Sequence, residues 1–122
     1  MNKRSIQVVE SLAGCSSGLR VLLEEHSKDN GGEILPHVFF GDLTRYALSL
    51  LPDTRSVGEP LQKHELREIL NRLEEAYSEN DSEITELISV SFLESLPQPG
   101  DVGSQIRDLI GPNLKKQLRV IG

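Results

Sequence analysis

The chain has 122 residues, with 13 Lys and Arg against 19 Asp and Glu, a formal net charge of −6, and 37% hydrophobic residues. That length suits one domain with its own core, and the acidic balance argues against nonspecific nucleic-acid binding, which draws its affinity from Lys and Arg on phosphates. The single cysteine, Cys15, excludes an internal disulfide framework and a Cys-based zinc cluster, and no run approaches the roughly 18 apolar residues of a membrane span.

From the N-terminus, no signal-peptide core follows Met1-Asn2-Lys3-Arg4-Ser5, so a soluble, cytoplasmic protein is expected. Ile6, Val9, Leu12 and Ala13 step helically, Gly14-Cys15-Ser16-Ser17-Gly18 weakens the run, and Leu19, Leu22, Leu23 and His26 resume it. One interrupted helix or two short ones satisfy this pattern, and Asp29-Asn30-Gly31-Gly32 stops it. The most apolar stretch, Leu35 to Leu51, enters through Pro36 and closes at Pro52. Its apolar residues cover most of a helical circumference, which predicts a central helix packed on several sides; a strand at Val38 to Phe40 would need alternation that is absent.

After Glu59-Pro60, the residues Leu66, Ile69, Leu70, Leu73, Ala76 and Tyr77 recur at three- and four-residue steps and predict an amphipathic helix ending near Ser78. Asn80-Asp81-Ser82 reads as a turn, with Asn80 and Glu83 spaced as in a capping box. The next helix is predicted from about Ser82 to Leu96, where Pro97 stops it, and Val90, Leu93 and Leu96 widen its apolar stripe. At the C-terminus, Val102, Ile106, Leu109 and Ile110 precede Gly111-Pro112. A last short helix follows, with Leu114, Leu118 and Ile121 inward and Lys115, Lys116 and Arg119 outward.

These elements predict an all-α fold: one compact domain over 1–122, a bundle of five or six short helices with an antiparallel hairpin at about 61–96. Mobile segments are expected at the first few residues, at Arg55-Ser56-Val57-Gly58 and at 97–103.

Charge is unevenly spread. Residues 1–58 carry net −1, residues 59–101 net −8 and residues 102–122 net +3. Glu74, Glu75, Glu79, Asp81, Glu83 and Glu86 fall around the tip of the expected hairpin. One reading makes them a pad for a basic protein surface, which would relieve their mutual repulsion and speed encounter. The other makes them a solvated helix surface.

Catalytic patterns are absent. His26, His37 and His64 lack a second His at zincin spacing, and no Glu stands three residues before any of them, as a di-iron site needs. Cys15 would need a histidine beside it in space to act as a nucleophile; the plainer reading is a small, half-buried residue. Asp42 and Arg45 share a helix face near His37, either as a polar recognition patch or as an ion pair at the core edge. Gly31-Gly32 lacks the Lys and the preceding strand of a phosphate loop, and five aromatics without Trp make no base-stacking platform. No enzyme, metal site or cofactor is expected.

Leu35-Pro36-His37-Val38-Phe39-Phe40-Gly41-Asp42-Leu43-Thr44-Arg45, Val90-Ser91-Phe92-Leu93-Glu94-Ser95-Leu96, and Gly111-Pro112-Asn113-Leu114 through Leu118 carry a resemblance. Over about residues 19–118 the sequence resembles an uncharacterised family of small bacterial helical proteins with PHxFFxDLTR-like, SFLE-like and GPxLxxxL-like stretches. The resemblance implies no chemistry. By size and charge such proteins are similar to immunity proteins and antitoxins, which mask a toxin's surface. The expectation is therefore a non-catalytic module that covers a basic surface of a protein partner and binds neither nucleic acid nor membrane. The alternative is a homo-oligomeric structural or adaptor protein, a homodimer for instance, whose apolar helix faces pair.

Overall fold

The computed structural model describes residues 3–51, 60–79 and 81–121. Among the described residues seven α-helices follow one another: α1 (Lys3–Cys15), α2 (Ser17–Asp29), α3 (Pro36–Ser49), α4 (Pro60–Ser78), α5 (Ser82–Ser91), α6 (Ile106–Leu109) and α7 (Pro112–Ile121), with a 3-10 turn at Leu93–Ser95. No strand occurs among the described residues, as the periodicity predicts. The segment 55–58, the first two residues and Asn80 lie outside the described residues.

The N-terminal run divides into two helices at Ser16. This residue turns to an extended backbone (φ −146°, ψ 124°), and its hydroxyl accepts the Leu19 N–H at 3.2 Å. A serine N-cap supplies an acceptor to an otherwise orphan amide of the first turn, so the polar residues there begin a helix as well as ending one. α2 stops at Asn30, whose amide bonds back to His26 and Ser27, and Gly31 (φ 65°) and Gly32 (φ 89°) take the left-handed conformations that follow.

α3 starts on Pro36 at its first turn and buries Phe39, Phe40, Leu43, Thr44 and Ala47 against α1, α2 and α5. Its circumference is not wholly covered, since Val38 is exposed. α4 begins and ends where its pattern predicts, at Pro60 and Ser78. Three residues join it to α5, and the two helices pack on each other. Asp81 caps α5 by accepting the amides of Glu83 (3.0 Å) and Ile84 (3.4 Å).

The helix expected to run to Leu96 ends instead at Ser91. Phe92, Leu93 and Leu96 are all buried, and the tighter 3-10 turn, with Leu96 N–H on Leu93 O at 3.2 Å, brings them to the core. Leu96 is extended (ψ 146°), as a residue before proline must be. Residues 97–105 form turns, with Gly100 and Gly103 at positive φ, so only one helical turn remains at α6. Val102 is therefore 98% exposed and Leu109 half-exposed, while Ile106 and Ile110 are buried. In α7, Leu114 and Leu118 face the core as expected, but Ile121 is exposed.

The core gathers side chains from every helix, with Phe39, Phe40 and Phe92 fully buried. α1 packs on α2, α3, α4 and α5, and α7 closes against α4 and the 3-10 turn. No helix among the described residues is long and apolar enough to cross a membrane.

Candidate functional site

α1 and the C-terminal half of α4 diverge around a cleft of about 350 Å³, closed at one end by the start of α5. Apolar side chains of α1 and α4, Val8, Leu12 and Ala76 among them, line it together with charged side chains: Arg4 of α1, Arg72 and Glu75 of α4, and Glu79 and Asp81 of the turn that follows. The acidic hairpin tip is thus matched in part by basic groups, one brought from α1. Arg4 and Asp81 form an ion pair, and that hydrogen bond, aided by the amides at the start of α5, holds the Asp81 carboxyl below its ordinary range.

The six acidic residues separate into two groups. Glu74 is half-buried and accepts the amides of Asn113 (3.2 Å) and Leu114 (3.1 Å) and the Asn113 side-chain amide (2.8 Å), at the first turn of α7. Gly111 leaves room for it, because a Cβ there would lie 2.4 Å from Glu74 Oε1. Glu83 accepts the Ser5 amide (3.2 Å) and the Ser5 hydroxyl (2.6 Å) in the first turn of α1. Asn80, with which the capping-box spacing pairs it, lies outside the described residues. Glu74, Asp81 and Glu83 therefore satisfy helix N-termini, where anionic acceptors are favoured by orphan amides and by the helix dipole. The side chains of Glu75, Glu79 and Glu86 make no hydrogen bond or ion pair among the described residues, and all three residues are exposed.

His37, Asp42 and Arg45 are not brought together as a trio. His37 Nδ1 bonds the Ser91 hydroxyl at 2.5 Å, tying α3 to α5. Asp42 and Arg45 pair with each other on the solvent side of α3, with the Arg45 side chain 74% exposed. Cys15 donates its thiol to Leu12 O at 3.1 Å, and burial pushes that thiol up, against a smaller pull from Arg72. A thiol so placed lacks the electropositive setting that activates a nucleophile. Among the described residues, no three His, Cys, Asp or Glu gather as a metal site would require.

Two polar clusters escape the sequence reading. Glu65 Oε2 accepts the hydroxyls of Ser16 and Tyr46, the latter at 2.7 Å. His26 is buried, accepts the Leu35 amide on Nε2 at 2.9 Å, and sets its ring edge-to-face with Phe39 at 5.8 Å. A signal for the first lay in the glycine and serine stretch 14–18. Ser16 is the cap, and Gly18 is the space for Tyr46, whose hydroxyl would lie 1.8 Å from a Cβ there.

No curated protein and no solved structure matches the chain. One family does. The match runs over residues 9–120, from the buried Val9 of α1 to the exposed Val120 of α7, and so takes in the Glu65 and His26 clusters and the Glu74 cap but neither Arg4 nor Ser5; the chain belongs to the family described as a domain of unknown function, DUF7674.

Proposed function

We propose that the protein is a non-catalytic binding module that covers a basic surface of another protein, in the manner of an immunity protein or antitoxin. The observation that carries this reading is the α1–α4 cleft, where Glu75 of the multiply packed α4 and Glu79 just past its end stand exposed and form no ion pair among the described residues. Like charges this close in the chain repel each other, and a partner's Lys and Arg relieve that repulsion while accelerating encounter. The apolar side chains of the cleft supply contact, and the charged ones supply orientation.

The internal role of Glu74, Asp81 and Glu83 supports the same reading, because it separates groups that hold the fold from groups left for a partner. The test follows that division. The chain is used to capture partners from its native host, in parallel with a Glu75→Lys/Glu79→Lys/Glu86→Lys variant. Wild type is expected to retain a stoichiometric basic protein that the variant loses, with the association rate lowered and its salt dependence reversed. A partner retained equally by both proteins would place the interface elsewhere, and recovery of no basic partner would sink the reading.

A further inference from the structure

We propose that the α6–α7 end of one copy docks on the acidic face of α4 in a second copy, so that the protein associates head to tail. Between α6 and α7 lies a cleft of about 460 Å³ lined by Arg107, Lys115 and Arg119, with Asp108 as its acidic residue and Leu118 at its floor. Arg107 is held in place by donating to Pro97 O at 3.0 Å. Lys115 and Arg119 stand one helical turn apart, and neither has an ion-pair partner among the described residues. The last turns add exposed apolar surface at Leu109, Val120 and Ile121, which ion pairs alone would not provide.

The surface that complements this one is on the same chain. Glu75, in the last turn of α4, and Glu79, in the turn that follows it, form no ion pair among the described residues, although Arg4 across the same cleft attracts Glu79 through space. Lys115 and Arg119 stand about 6 Å apart on α7, and their positive charge complements the negative charge of Glu75 and Glu79 at the end of α4. Inside one copy, Glu74 takes the first amides of α7, and Lys115 and Arg119 form no ion pair among the described residues. A second copy can supply the carboxylates. The two faces differ, so the contact is heterologous and propagates into chains or a ring instead of stopping at a symmetric dimer. The inference does not rest on the basic partner proposed above, although that partner and a second copy would compete for Glu75 and Glu79.

The experiment is sedimentation velocity on the pure full chain over a range of concentrations, at about 0.01 M and about 0.3 M salt, where screening lengths differ several-fold. The sedimentation coefficient is expected to rise with concentration at low salt, with the association constant at least about tenfold weaker at high salt. Lys115→Glu/Arg119→Glu and Glu75→Lys/Glu79→Lys should each be monomeric, with unchanged far-UV circular dichroism. An equimolar mixture of the two should associate again, and a chain carrying all four reversals should self-associate. That last protein decides the matter where a two-site variant folds poorly. A wild type that stays monomeric, an association indifferent to salt and to both reversals, or a mixture that fails to reassemble would each overturn the proposal.

Discussion

A single carboxylate oxygen, Oε2 of Glu65, receives the hydroxyls of Ser16 and Tyr46 and so joins the start of α2 to α3 and α4. Burial of the phenol, and then its bond to Glu65, push Tyr46 from the ordinary value of 10.0 up to about 12. The folded chain therefore keeps a proton that the unfolded chain releases. The resulting stabilisation is fully present below pH 10.0 and is lost as pH rises through about 12. Chemical denaturation across that interval should show wild type losing stability more steeply than Tyr46→Phe. Equal slopes for the two proteins would separate Tyr46 from the alkaline transition.

At the scale of the element, two helices depend on carboxylates from other helices. α7 begins Gly111-Pro112, and neither residue offers a capping side chain, so Glu74 of α4 accepts its first amides. Glu74→Ala should cost about 1–2 kcal/mol, as the loss of an N-cap does, and Glu74→Gln less, because an amide oxygen still accepts without the charge. Hydrogen exchange localises the effect: Asn113 and Leu114 should lose protection first, while the amides of α3 follow the global stability. Unchanged protection at those two amides would refute the cap. This pairing also marks where the sequence stops being legible. The bounds of α4 could be read because Pro60 and the three- and four-residue steps act locally, and Asp42 with Arg45 could be read because a helix fixes what lies three residues away. Glu74 meets residues 39 and 40 positions later, Glu65 meets Ser16 49 positions earlier, and Glu83 meets Ser5 78 positions earlier. Such contacts are set by how helices pack, which no local spacing encodes. For the same reason Val38, Val102 and Leu109 obey a helical apolar pattern yet face solvent, since periodicity names a face without naming its neighbour.

Taken as a whole, the molecule has one apolar cluster to which every helix contributes, from Val9 and Leu12 of α1 to Leu114 and Leu118 of α7. No helix therefore keeps its buried face covered once its neighbours leave, and unfolding should be a single cooperative transition. Leu114 tests this most directly. It is fully buried, it comes from the last helix, and it is far along the chain from the tyrosine of α3. Leu114→Ala should cost about 2–5 kcal/mol through lost burial and the cavity left behind. Because the core is shared, the denaturation midpoint should fall by the same amount whether followed by far-UV circular dichroism or by the fluorescence of Tyr46 in a Tyr77→Phe background, with the slope against denaturant unchanged. A variant in which the helical signal falls first, while the tyrosine transition stays in place, would mean that α7 undocks alone. The C-terminal basic face would then belong to a separately folding arm, and Lys115 and Arg119 would no longer be held in one frame with Glu75 and Glu79.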